Sequence, residues 1–283
     1  MPELPEVETV RRGLLKHIRR AEIERVEVRF PTLRTPIPDS IEQVMEGAVI
    51  ADITRRSKYM LWQLDNDYVM LSHLGMSGRY NLYDAPPEAF KKHEHVVWYL
   101  TDGRALAYED PRRFGVIELI KNEEMEAHKL LAQLGPEPLS QAFNVRYFTK
   151  ALASRSQAIK PALMDAKLVV GVGNIYASEA CFYAGIHPDT VCRHMIQHPE
   201  SIKRLMEAVK QVLRAAIDSG GSSLRDFWNI EGGGGYFQHR FFVYDRKGEP
   251  CHQCREPIKQ SKQAGRSTFF CAKCQKLPPK QRG

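Results

Sequence analysis

The chain lacks any apolar run of membrane-spanning length, which excludes a transmembrane helix as its organising element. It also lacks the basic and apolar segments of a secretion signal. Glu3, Glu6 and Glu8 stand where such a signal is positive, so a cytoplasmic protein is expected. Internal repeats are absent, and the one low-complexity stretch is Gly232–Gly235, read as a loop with Glu231. Acidic residues are scarce at one end. From Arg240 to Gly283 there are eleven Lys/Arg against three Asp/Glu, although the whole chain carries only +7. The remaining residues therefore sum to −1. A basic tail on a near-neutral body points to a polyanion, nucleic acid first, with added solubility as the plainer reading. Cysteine is sparse too, with six residues in 283.

Four of those six form two tight pairs, Cys251-x2-Cys254 and Cys271-x2-Cys274, sixteen residues apart. Without a secretion signal this spacing reads as one zinc site rather than disulfides. Two Cys-x2-Cys turns fill a tetrahedral metal with thiolates and leave no position for water, so the zinc is expected to be structural. Cys181 falls in an apolar, helix-like stretch and reads as buried, whereas Cys192 has no evident partner.

The length accommodates two domains. Pro5 suits a helix first turn, and Val7, Val10, Leu14 and Ile18 follow near helical spacing. Val26, Val28 and Phe30 alternate with charged residues as in a strand. Tyr68–Leu71, Val96–Leu100, Ala105–Tyr108 and Val116–Ile120 are further strand-like runs, with an Asp102-Gly103 turn signal between two of them. The pattern predicts an N-terminal helix plus a β-sandwich over residues 1–133. Composition shifts at Leu134-Gly135-Pro136-Glu137-Pro138. Helical spacing then dominates residues 134–235, with the stripe Ile202, Leu205, Met206, Val209, Val212, Leu213, Ala216 and Ile217 ending at Gly220-Gly221. Residues 236–283 hold the zinc module (core 242–276), with a hairpin expected between its cysteine pairs. The fold class is α+β in two domains.

The opening Met1-Pro2-Glu3-Leu4-Pro5-Glu6 carries candidate chemistry. Removal of Met1 would turn the Pro2 nitrogen into a secondary amine, which can attack an electrophilic carbon and form an iminium. Glu3 and Glu6 lie within one helical turn of it, so an amine nucleophile stands beside acid/base groups. A Pro-rich helix start is the plainer reading of the same six residues.

Six segments together resemble the formamidopyrimidine-DNA glycosylase family. They are Pro2–Thr9, His73–Gly78, Asp110–Gly115, Leu134–Leu139, the stretch from Lys160-Pro161 to Gly173-Asn174-Ile175-Tyr176, and Gly265–Thr268 inside the four-cysteine finger. They run in family order over nearly the whole chain. The resemblance implies a base excision repair enzyme that removes oxidised purines such as 8-oxoguanine and formamidopyrimidines from double-stranded DNA. It then cuts the abasic site by β,δ-elimination. The C-terminal domain is implied to contain a helix–two-turn–helix, and a monomer fits.

The resemblance also assigns roles. Pro2 would attack the sugar C1′ and hold the opened sugar as an iminium, whose pull on electrons acidifies the C2′ proton. Glu3 would move protons at base loss and ring opening, and Glu6 would fix the opened sugar. Lys58 would assist β-elimination, and a cation beside Pro2 would lower the amine pKa. Arg266 would contact phosphates around the lesion and support δ-elimination. The target base must leave the stack, and Met76, Arg112 and Phe114 match the residues that fill the hole. Taken alone, Met76 and Phe114 read as core residues, but flanking glycines favour loop tips. Arg113 is the other candidate for the arginine role. His73, His93, Arg155, Lys160 and Asn174 are the remaining DNA-binding candidates, and His95 reads as a structural histidine.

Two departures stand out. Relatives often carry a lysine run where this chain has Ser154-Arg155-Ser156-Gln157. The Glu231–Gly235 segment, inside a family loop between about Ser222 and Tyr236, is unusually glycine-rich. The alternatives are an endonuclease VIII-type glycosylase for oxidised pyrimidines, disfavoured by Leu4 and the Asp110–Gly115 block, and a non-catalytic zinc-finger DNA-binding protein. An RNA-binding zinc ribbon is a weaker third, because no aromatic stacking motif of that type is present.

Overall fold

A computed structural model describes residues 1–222 and 236–277. The Glu231–Gly235 loop and the base-reading segment expected around it lie outside the described residues. Contacts divide the chain into two units, Met1–Gln133 with Ser219–Tyr236, and Leu134–Asp218 with Phe237–Gly283.

The first unit opens with α1 (Leu4–Ile18), which has Pro5 in its first turn. Glu3 is the N-cap and forms a reciprocal capping box with Glu6, so two orphan N–H donors of the first turn are satisfied within four residues. Val7, Val10, Leu14 and Ile18 lie on one buried face. Eight strands follow: β1 (Ile23–Val28), β2 (Ile50–Arg56), β3 (Tyr59–Leu64), β4 (Tyr68–His73), β5 (Arg79–Tyr83), β6 (Glu94–Leu100), β7 (Ala105–Glu109) and β8 (Val116–Lys121), with the short α2 (Ile41–Met45) between β1 and β2. They build two four-stranded antiparallel sheets, ordered β1-β6-β7-β5 and β2-β3-β4-β8.

One core joins both sheets and α1. Met60, Trp62 and Leu64 of β3 enter it, while Leu61 packs on the opposite face with Val69 and Leu71. Trp62 stacks on Trp98 at 6.0 Å, and Tyr80 lies against both indoles. Truncating either tryptophan to alanine would cost about 3–5 kcal/mol. β1 begins and ends earlier than its Val26–Phe30 pattern suggested, because Arg29 and Phe30 donate their N–H groups to His95 O as strand pairing closes.

The second unit holds α3 (Val145–Ala153), α4 (Ile159–Leu163), α5 (Asn174–Tyr183), α6 (Cys192–Met195) and α7 (Pro199–Asp218) around a single core. Asn144 caps α3 by accepting the Tyr147 N–H at 2.9 Å. The α7 stripe is buried as its spacing required, and the chain leaves the helix through Gly220 and Gly221, both at positive φ. Cys181 and Cys192 are both buried in this core. The cysteine module closes on the hairpin β9 (Lys259–Gln263) and β10 (Arg266–Phe270). Its two-residue turn, Ala264-Gly265, has positive φ at both positions, the conformation that matches the twist of the flanking strands.

Candidate active site and nucleic-acid interface

Chain termini are usually loose, but here Pro2 and Glu3 are buried. Glu6 is the reason. One carboxylate oxygen accepts the Glu3 N–H at 2.9 Å, and the other accepts the N–H and hydroxyl of Ser222 at 2.8 and 3.0 Å. Glu8, which sequence reasoning passed over, supports the same helix. It accepts from Arg11, Arg12 and Arg55 at 2.8–3.2 Å. Burial pushes its carboxyl upward, but the arginine hydrogen bonds and charges outweigh that and hold it below the usual range. Arg55 also donates to Ser57 O at 2.8 Å, which fixes the tight β2–β3 turn that carries Lys58. A carboxylate on the helix, acting through Arg55, thus helps set a turn more than forty positions downstream of it, a relationship that no sequence spacing signals.

His73 ends β4 beneath that turn. Burial first, then the positive charges of Lys58 and Arg34, pull its pKa down to about 4. The Gly75 N–H donates to Nδ1 at 3.0 Å, which assigns the remaining ring proton to Nε2. His73 is therefore a neutral donor at neutral pH.

The two expected wedge loops meet. Ser77 Oγ donates to Asp110 Oδ1 at 2.6 Å, and the Gly115 N–H donates to Asp110 Oδ2 at 2.8 Å. A side chain at Gly75 would collide with the Phe114 carbonyl, so glycine is required where the loops pass. Phe114 is 44% exposed despite its size, with the Arg112 guanidinium 4.9 Å from its ring centre. Arg113 instead lies over the Phe30 ring at 4.7 Å, which separates the two arginines that sequence left nearly equal. Met76 is half-buried on the neighbouring loop. His93 is half-buried just before β6, and its carbonyl accepts the Asp110 N–H at 2.9 Å. His95 is buried with Nε2 2.9 Å from Asp110 O, a structural histidine.

In the second unit one expectation changes. Lys160, a candidate phosphate contact, is fully buried. Its ammonium donates to Asn174 Oδ1 at 2.6 Å, Thr268 Oγ1 at 2.8 Å and Ser267 O at 3.3 Å. Three acceptors leave that side chain no donor for a phosphate. Arg155, also expected on DNA, donates to Asp165 Oδ2 at 2.6 Å. Asn174 begins α5, and its amide nitrogen donates to Ser267 O at 2.9 Å, so this helix start is tied to the finger hairpin. Arg266 opens β10 beside the turn and is exposed.

The four cysteine sulfurs lie within 4.8 Å of one another, with Cys251–Cys274 at 3.9 Å and Cys254–Cys271 at 3.4 Å. Tetrahedral Zn–S bonds of about 2.3 Å separate sulfurs by roughly 3.8 Å, so the set fits one zinc ion and closes its coordination. Glu179, another residue that sequence reasoning missed, is buried in α5 and accepts the N–H groups of Phe242, Val243 and Tyr244 at 2.8–3.0 Å. It anchors the chain as it enters the finger.

A capped N-terminal helix on a β-sandwich, a helix–two-turn–helix unit and a four-cysteine finger define a zinc-finger protein of the DNA glycosylase class. Residues 1–117 match the formamidopyrimidine-DNA glycosylase N-terminal domain, residues 134–227 its H2TH domain, and residues 248–277 the zinc finger found in FPG and IleRS. The chain belongs to the formamidopyrimidine-DNA glycosylase family. It is 48% identical over 276 residues to the formamidopyrimidine-DNA glycosylase of Thiobacillus denitrificans, covering 98% of this chain and all of that one. The corresponding enzyme of Azorhizobium caulinodans is 44% identical over 293 residues, with 98% and 100% coverage. The Lactococcus lactis Fpg (MutM) in complex with an N7-benzyl-Fapy-dG containing DNA superposes with a TM-score of 0.89 at 36% identity, covering 97% of this chain and all of that one. No helix among the described residues is long and apolar enough to cross a membrane.

Proposed function

We propose that this protein is a base excision repair enzyme that removes oxidised purines from double-stranded DNA and cleaves the resulting abasic site through its N-terminal proline. The observation that carries the reading is the clamp of Glu6 on Glu3 and Ser222, which makes a chain terminus a fixed, buried element. An enzyme needs its nucleophile held in this way, and a helix start does not.

With Met1 removed, the Pro2 amine attacks C1′ while the glycosidic bond breaks and the base leaves with a proton. Glu3 passes protons as the base departs and O4′ is released. The opened sugar is then an iminium on Pro2. Loss of the C2′ proton expels the 3′ phosphate, with Lys58 assisting. Loss of the C4′ proton expels the 5′ phosphate, with Arg266 assisting. Water releases the sugar remnant and restores the amine. Met76, Arg112 and Phe114 fill the gap left by the flipped nucleotide. His73, His93 and Asn174 hold phosphates, His73 as a neutral donor. Lys160 acts as a positioning residue, while Arg155 holds phosphates with the donors that Asp165 leaves. Residues 1–133 carry the chemistry, while residues 134–235 and the finger in 236–283 grip the backbone. The protein works as a monomer in the bacterial cytoplasm and is nucleoid-associated when on DNA.

The test is borohydride trapping on a duplex with one 8-oxoguanine opposite cytosine. A covalent band that Pro2→Gly abolishes is the expected result. The Lactococcus lactis relative is also solved with an oxidised-pyrimidine containing DNA, so a pyrimidine lesion belongs beside it. Trapping only on the pyrimidine would make this an endonuclease VIII-type enzyme. No trapping on either lesion or on an abasic site would leave a non-catalytic DNA-binding protein.

A further inference from the structure

A concave site in the second unit is unused by this chemistry. It has a volume of about 370 Å³ and lies where the bend after α5, the loop before α6, the start of α7 and the chain leaving the finger come together. Ile186 and Met195 are its buried apolar lining, and Leu277, 54% exposed, forms a wall. Ile196, next to Met195 in sequence, is also exposed at 38%. Exposed large apolar side chains are few among the described residues, and two occur at or next to this one cavity.

The charged and titratable lining is of one kind. Arg204, Lys276, His194 and His198 contribute, and no Asp or Glu does. Arg204 donates only to Ala184 O at 3.5 Å and Ser201 Oγ at 3.1 Å, and neither it nor Lys276 has an ion-pair partner among the described residues. Thr190 also lines the cavity, and its Oγ1 is buried without a hydrogen-bond partner among the described residues.

We propose that this cavity is a docking site for an acidic peptide segment of a partner protein, with one large apolar side chain seated on Ile186 and Met195 and carboxylates on Arg204 and Lys276. The volume suits one or two large side chains rather than a nucleotide chain. An apolar floor gains nothing from phosphates, whereas a basic rim repels basic peptides and favours acidic over neutral ones. This chain's own tail beyond Leu277 carries Lys280 and Arg282, the wrong charge for the rim. The inference is independent of the glycosylase reading.

The experiment uses the full zinc-loaded chain and a fluorescein-labelled peptide, Asp-Glu-Asp-Glu-Leu-Phe, read by anisotropy. Binding at roughly 1–100 μM is expected. The affinity should fall about tenfold or more in Arg204→Glu/Lys276→Glu and when Leu-Phe is replaced by Ser-Ser. An unchanged thermal melt and an unchanged near-UV circular dichroism spectrum would show that the variant is folded. Three results would overturn the proposal: no binding up to about 1 mM, equal binding by the charge-reversed variant, or equal binding by the Ser-Ser peptide, which would mean charge alone. Binding only by a chain ending at Leu277 would assign the cavity to the tail and overturn it too.

Discussion

The ammonium of Lys160 lies 2.6 Å from Oδ1 of Asn174, and both side chains reach the carbonyl of Ser267, respectively 107 and 93 positions downstream. Through these three groups the start of α5 and the finger hairpin become one surface. A lysine that looks like a phosphate ligand in sequence instead ties Asn174 to the strand that Arg266 opens.

Lys160→Met removes the ammonium and leaves Asn174 Oδ1 and Thr268 without their donor. Unsatisfied buried acceptors cost about 1–3 kcal/mol each. The expected outcome is a lower melting temperature together with at least tenfold weaker binding of an abasic-site duplex, read by calorimetry and anisotropy. Unchanged affinity in a folded variant would remove Lys160 from the positioning role.

Asp110 joins the two loops that carry the expected wedge residues, through Ser77 and Gly115. Asp110→Ala should loosen Met76, Arg112 and Phe114 together. Excision of a lesion from a paired duplex should fall by about tenfold or more, because unstacking costs a few kcal/mol that the wedge offsets. Excision of the same lesion from an unpaired bulge should fall much less. Equal losses on both substrates would indicate general misfolding rather than lost wedge geometry.

His73 gives a pH prediction. Its folded pKa, about 4, lies below the ordinary value of 6.5. The unfolded chain therefore binds the extra proton first as pH falls. The stabilising contribution is complete above 6.5 and is lost as pH drops toward 4, by at most about 1.4 kcal/mol per pH unit. Denaturation series between pH 4 and 7 should show this slope in the native protein and a shallower one in His73→Gln. Ring NMR should give a midpoint near 4 with the proton on Nε2 above it. A midpoint near 6.5 would contradict the neutral-donor role.

Zinc removal should affect the two units differently. Chelation, or Cys254→Ala, opens the four-thiolate site and should abolish tight DNA binding. Trp62 and Trp98 stack inside the first unit, so its near-UV circular dichroism should persist. Retained binding after metal loss would contradict a structural zinc.

DNA affinity in the native protein should fall steeply with salt, with a slope set by the number of phosphates neutralised. A titration between low and physiological salt checks this, and a flat response would argue against a basic finger on the backbone.

Much of the fold is legible in the chain because its signals are local. The α1 and α7 stripes, the cysteine spacing and the Asp102-Gly103 turn each act over a few residues, and the structure contains each of them. β3 is harder to read, because Tyr59–Leu64 lies between two other strands and is apolar on both faces, so it has no alternation to detect. β2 and β5 are also missed. β2 mixes charged residues with apolar ones, and Arg55 in it serves the turn as much as the sheet.

The sequence by itself determined the family, the zinc ligands and the N-terminal nucleophile candidate, because each is a matter of residue type at fixed spacing, and it offered wedge candidates only through the family resemblance. Only the tertiary structure decided which charges remain available. It buried Lys160 on Asn174, paired Arg155 with Asp165, stacked Arg113 on Phe30 and left Arg112 beside Phe114. The physical reason is that a hydrogen bond or ion pair between residues far apart in sequence depends on where two backbones meet. A side chain's chemistry is written in the chain, but its partner is chosen by the fold.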